Sequence, residues 1–191
     1  MPKLTVTGDD AADRLVSEEP LALLLAMLLD QQVPMEWAFR GPSTLATRLD
    51  GPLQASTLAA LEPDELVEVF RIKPALHRYP GSMAKRAHAL AVMIVEQYGG
   101  DAGAIWQGVR DPAELFARLR ALPGFGEEKA KIFLAILGKR LRVAPKGWEE
   151  YAAPFSDTQP RSVADIDSPA ALQRVRAWKQ AQKAKGKTKA E

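Results

Sequence analysis

The residues with most chemical promise are Leu122-Pro123-Gly124-Phe125-Gly126 and the charges that follow, Glu127, Glu128, Lys129 and Lys131. This run lies between two helical patterns. Residues 111–120 lead in, with Asp111 as an N-cap and Pro112 at the first helical position. Residues 127–137 lead out, with Ala130, Phe133, Leu134 and Leu137 on one face, and Gly138 predicts the stop. A helix start carries free N–H groups and a partial positive charge. It can therefore hold a phosphate oxygen without any side chain. Two glycines one residue apart open backbone conformations closed to other residues and let a second backbone come close. Lys129 and Lys131 add cations nearby. Glu127 and Glu128 suit the positive helix start but repel a phosphate placed there. The same residues also read as a plain tight turn in which Phe125 plugs the core.

A second constellation is Gln31-Gln32. An amide both donates and accepts, so it can pair with the edge of a nucleic-acid base. The two glutamines follow directly on the apolar residues 21–29 and precede Pro34. They are either the polar exit of a buried helix or probes that face a base. Trp37 and Phe39 read as core, and His77 and His88 as surface or boundary residues.

Composition narrows the chemistry. The 191 residues suffice for a sizeable core, and 47% hydrophobic with 26% charged residues is ordinary for a globular chain. The net charge of +2 means that any polyanion surface must come from where the charges sit. The absence of cysteine excludes disulfides, a cysteine-held iron–sulfur cluster and a thiolate zinc site. Residues 21–29 are too short an apolar run to span a bilayer, and no basic-then-apolar leader pattern opens the chain. The expectation is a cytoplasmic protein with no membrane contact.

The elements that must position these residues read as helices throughout. Leu4-Thr5-Val6 alternates, and a short helix follows around residues 11–15. Pro20 starts a helix that is apolar nearly all round and so belongs at the centre of a core. Residues 35–40 form the next helix, broken by Gly41-Pro42, and residues 43–49 another. Short helices are predicted at 56–61 and 64–70, then a long amphipathic one at 82–98 ended by Gly99-Gly100. Residues 104–109 read as a helical turn, as do 148–151, and 153–167 read as loop. Ser168-Pro169 starts a last helix that reaches about residue 181. The fold class is all-α, with many short helices around two buried ones. No repeat is found.

The order of these parts resembles the HhH-GPD superfamily of base-excision-repair DNA glycosylases, which includes endonuclease III and the 3-methyladenine glycosylases. The resemblance rests on Met27-Leu28-Leu29-Asp30-Gln31-Gln32-Val33, on Trp37-Ala38-Phe39, on Met83-Ala84-Lys85-Arg86-Ala87, on Tyr98-Gly99-Gly100 and on the Leu122 to Gly126 run. It covers roughly residues 20–148. It implies one domain over residues 1–182, built of two helical subdomains with a cleft between them. A helix-hairpin-helix motif would occupy about 111–138; residues 183–191, beyond the resemblance, read from their lysines as a basic, disordered tail. It implies double-stranded DNA, damaged or distorted, as the partner, with a base flipped into the cleft. Leu122, Pro123, Gly124, Phe125 and Gly126, with Lys129 and Lys131, would hold phosphates, and Gln31 and Gln32 would enter the duplex. It also implies a monovalent cation on the carbonyls of Leu122, Gly124 and Gly126, and no other cofactor.

Two departures bear on catalysis. Lyase members carry a lysine two residues after the second hairpin glycine. Glu128 stands there, and Lys129 is rotated about 100° from it on a helix. The resemblance therefore implies no lysine-based strand cleavage. Members also carry an aspartate in the loop after the second hairpin helix, where it stabilises the cationic sugar as the base leaves. That loop is Val143-Ala144-Pro145-Lys146-Gly147, which has no acid, leaving Glu128 and Glu149 as candidate catalytic carboxylates. Whether a base is released stays open, as does its identity. The alternative is a protein-interaction module that reuses the fold without DNA and exposes a large apolar patch instead of a basic cleft.

Overall fold

The computed structural model describes residues 4–191. Among these, ten α-helices and no strand are present, so the chain is all-α as expected. Helix α1 (Asp10–Glu18) is capped by Asp9, whose carboxylate accepts from the Ala11 and Ala12 amides. The alternation ahead of it holds: Leu4 and Val6 are buried, and the Asp13 carboxylate accepts from the Val6 and Thr7 amides.

Helix α2 (Pro20–Leu29) is the centre of the molecule. Every residue from 21 to 29 is buried, which an all-apolar helix requires. It packs against α1, against α3 (Met35–Arg48) and against α6 (Pro80–Tyr98). The predicted break at Gly41-Pro42 is corrected, because α3 runs straight through both residues. Pro42 forfeits one helical hydrogen bond, but both residues are buried. Gly41 lies so close to Leu29 that a side chain there would collide with it. Packing on α2 outweighs the single lost bond.

Helices α4 (Ala55–Ala60) and α5 (Pro63–Arg71) both lie on α6. A single turn of 3₁₀ helix at Ala102–Ile105 touches α2, α6 and α7 (Pro112–Arg120). Helix α7 then packs on α8 (Glu127–Ile136), and α8 on α9 (Trp148–Ala152). Asp111 caps α7 as expected, accepting from the Ala113 amide at 2.9 Å. Helix α8 is the second buried one, with Ala130 and every residue from 132 to 136 enclosed.

The predicted stop at Gly138 is also corrected. The chain continues as a widened π turn, Leu137–Leu141, and leaves it at Arg142 with a left-handed φ of 57°. Trp148 explains this, since its indole ring lies flush against Gly138 and a methyl group there would overlap the ring. Residues 153–167 are anchored rather than free. Lys139 bonds Asp165 and the Asp157 carbonyl, each at 2.6 Å, and a 3₁₀ turn at Val163–Asp165 packs on α8.

Helix α10 (Pro169–Ala184) starts on its Ser168 cap and runs three residues beyond the predicted end. The boundary expected at residue 183 therefore falls inside a helix. The tail expected to be disordered returns to the body of the protein. Lys189 pairs with Glu128 at 2.9 Å, its carbonyl accepts from Arg161, and Ala190 packs on the core.

The Gly138–Trp148 contact gives a stability prediction. Gly138→Val forces the indole away and should destabilise the fold by roughly 2 kcal/mol, the usual scale for overpacking. Denaturant unfolding measures this, and a change under about 0.5 kcal/mol would mean that Trp148 yields freely.

Candidate nucleic-acid interface

Residues 28–35, where α2 turns into α3, are where the predicted constellations meet. An apolar helix that ends inside the protein leaves its last carbonyls in need of donors. Two arrive from distant parts of the chain. Lys129, on the first turn of α8, donates to the Leu28 carbonyl at 2.7 Å. The His77 ring nitrogen Nε2 lies 3.1 Å from the Leu29 carbonyl and 2.9 Å from that of Gln31. His77 is 1% exposed, so its expected place at the surface is corrected. Burial pushes its pKa down.

Gln31 is half-buried, and its side-chain oxygen accepts from Arg86 of α6 at 3.0 Å. Gln32 is exposed and adopts a left-handed φ of 56°, which turns the chain toward Pro34. Beside this loop stand two exposed aromatic rings, Trp37 at 40% and Tyr79 at 43%. Both flank His77, with ring centroids 6.4 Å and 6.1 Å from it. Trp37 was expected in the core together with Phe39; only Phe39 is there. Arg78 lies over the Tyr79 ring at 5.5 Å.

The α7–α8 turn lies against the same corner. The Phe125 amide closes it by donating to the Leu122 carbonyl at 3.0 Å. Leu122 and Phe125 point into the core, Phe125 edge-on to Phe133 at 5.8 Å. They can offer a ligand only their backbone. Gly124 has a φ of +79°, and a side chain there would press on Leu28 at 2.9 Å and approach Arg86 at 3.5 Å. That position requires glycine. Gly126 does not: its φ is −97°, and an added Cβ meets nothing within 4 Å. The expected need for two glycines reduces to one.

The charges at the start of α8 are arranged unlike a simple reading of the sequence. Glu127 pairs with Lys131 at 3.1 Å and Glu128 with Lys189 at 2.9 Å. Both acids are thus neutralised, and Lys131 is already paired. Glu149 is exposed on α9, where its carbonyl accepts from Ser156. The acid that sequence reasoning overlooked is Asp30, at the C-cap of α2 next to Gln31. Its charge acts on both Lys129 and Lys179. Lys179 was also missed. It extends from α10 to the Met35 sulfur at 3.2 Å. Lys179 gains its place from long-range packing, whereas Asp30 sits in the loop itself and only its distant lysine neighbours escape a sequence reading.

Burial lowers the pKa of Lys129 to about 8, and the nearby Lys189 and Arg86 cations act in the same direction while Asp30 opposes them. The neutral amine is therefore favoured by folding. Its contribution to stability is complete above pH 10.5 and is lost as pH falls through about 8. Lysine side-chain NMR should show a resonance titrating at about pH 8, well below the exposed lysines, that is absent in Lys129→Met. Titration of Lys129 with the bulk lysines would contradict this burial.

No protein-family model, curated protein or solved structure matches this chain.

Proposed function

We propose that the chain binds double-stranded DNA at damaged or distorted sites, in the manner of the base-excision glycosylases it resembles. One observation carries the reading. The Gln31-Gln32 loop and the α7–α8 turn, about ninety residues apart in sequence, lie on one corner bridged by Arg86 and Lys129. In this reading α7, the turn and α8 are a helix-hairpin-helix motif. Its amides at residues 124–126 take phosphate oxygens. Gln32, exposed on its left-handed turn, enters the duplex, and Trp37 and Tyr79 offer faces on which bases stack. The same reading puts the bound duplex between the first six helices and α7–α10.

The same reading puts a monovalent cation on the hairpin. The Leu122 and Gly126 carbonyls each accept one internal amide and keep a second lone pair. With Gly124 they would hold the ion and add positive charge near a phosphate. The protein-interaction alternative asks for a broad apolar patch. The exposed aromatic residues at this corner stand among cations instead, an arrangement better suited to a polyanion.

Binding to a duplex with a central abasic site should weaken steeply between 50 and 200 mM salt, roughly tenfold or more, through counterion release. Gly126→Val is the discriminating variant. It has room to fold, yet it places a side chain over the helix start, and it should weaken binding at least about tenfold. Wild-type affinity in the folded variant would reduce the hairpin to a plain turn.

Base release would need a carboxylate at this corner, and Asp30 is placed for it better than Glu128 or Glu149. Any release from alkylated, deaminated or oxidised duplexes should vanish in Asp30→Asn. Release that survives in that variant assigns the chemistry to another acid.

A further inference from the structure

Both ring nitrogens of His77 are engaged, yet the ring is 1% exposed, so His77 acts only through what it holds. A backbone N–H only donates. The Tyr79 amide lies 3.0 Å from Nδ1, so Nδ1 is the acceptor. The ring proton therefore sits on Nε2, within reach of the Leu29 carbonyl at 3.1 Å and the Gln31 carbonyl at 2.9 Å. Its partners decide the tautomer.

Those partners belong to three parts of the corner. Leu29 ends α2. Gln31 follows Asp30, whose φ of −73° and ψ of 70° make an inverse γ-turn, closed by the Gln31 amide on the Leu29 carbonyl at 2.7 Å. This turn leaves both carbonyls on the one Nε2 donor. Tyr79 is the N-cap of α6 and gives that helix no side-chain cap. His77 is also the middle ring of three, between the exposed Trp37 and Tyr79.

We propose that His77 is the positioning residue of this corner: its neutral ring, with the proton on Nε2, ties the Gln31–Gln32 loop to Tyr79, and a second proton, on Nδ1, releases Tyr79. Its bearing on DNA rests on the function proposed above. A proton on Nδ1 sets donor against donor, so the Tyr79 amide loses its acceptor while both carbonyls keep their donor. The charges that face the ring are Lys129 of α8 and Arg86 of α6. Asp30 and Arg78 stand next in sequence to the ring's partners. Burial is the main reason that the pKa lies below the usual 6.5; the two carbonyls oppose the shift and the two cations add to it. The neutral ring is thus favoured by folding. Its contribution is complete above pH 6.5 and is lost as pH falls through the lowered pKa. Charge alone predicts that a protein gaining a cation in acid grips a polyanion more tightly. Positioning by His77 predicts weaker binding.

Two measurements on the full chain test this. In the first, NMR follows the imidazole nitrogens and the backbone amides of the free protein as pH falls from neutral. The Nε2–H tautomer should be seen at neutral pH, and the Tyr79 amide should shift in step with the ring below pH 6.5. In the second, an abasic-site duplex is titrated by anisotropy at constant ionic strength against wild type, His77→Gln and His77→Asn. The Gln amide can keep the donor to the carbonyls and the Asn amide the acceptor for Tyr79, and neither titrates. Wild-type binding should weaken about fivefold as the ring gains its proton, the scale of one lost hydrogen bond. His77→Gln should bind about fivefold more weakly at neutral pH and lose less in acid. His77→Asn should hold the Tyr79 amide in place and shift those of Gln31 and Gln32. An Nδ1–H tautomer, a ring still neutral when the protein unfolds, or a Tyr79 amide that stays still while the ring titrates overturns the proposal. Duplex binding with one affinity and one pH profile in wild type and folded His77→Gln also overturns it, and leaves the DNA reading standing. Amides that move as expected, without duplex binding at low salt, keep the positioning role and overturn the DNA reading.

Discussion

The interaction on which the rest depends is the hydrogen bond from Lys129 to the Leu28 carbonyl. Helix α2 is apolar on every side and ends inside the protein. Its last carbonyls carry the negative end of the helix dipole, and water cannot reach them freely. A cation that donates to one of them answers both needs. Lys129 can do so only if the first turn of α8 lies beside the last turn of α2. Gly124 makes this approach feasible, because a side chain at that point would press on Leu28. The geometry of the α7–α8 turn and the end of the central helix are therefore a single packing problem with one solution.

The solution concentrates charge. A net of +2 describes a nearly neutral chain, and most of its half-buried cations are matched by acids close at hand. The exceptions are Arg48, held by the Val69 and Pro74 carbonyls, and Arg86, Lys129 and Lys179 around residues 28–35. Burial lowers the pKa of the two lysines, so their charged forms are costly there. The acids at the start of α8, which seemed to oppose a phosphate, are matched by Lys131 and Lys189.

Much of the fold is legible in the sequence, because local rules and packing agree there. Asp111-Pro112 and Ser168-Pro169 start helices, Gly99 ends one with a left-handed φ of 60°, and residues 21–29 are buried throughout. Local rules fail where a distant residue decides. Pro42 does not break α3, because Gly41 beside it is packed against Leu29 of α2 and both residues are buried. Gly138 does not end its helix, because Trp148 fills the space beside it. The candidate site divides in the same way. Gln31, Gln32 and Gly124 are readable from residue type and spacing. His77, Arg86 and Lys179 are not, since each reaches the corner through contacts across 46 to 144 residues, and Asp30, though next to Gln31, meets the charges of Lys129 and Lys179 only in the fold. Trp37 was misplaced for a related reason: its apolar ring predicts burial, but its helix turns that face outward beside His77.

The central claim is that DNA meets the protein at this corner. Backbone amide NMR of the full chain, titrated at low salt with a duplex carrying one abasic site, tests it most directly. The account predicts the largest shifts at Gln31, Gln32, Gly124, Gly126 and Lys129, with those of α4 and α5 nearly still. Shifts concentrated on another face, or none at low salt, would contradict it.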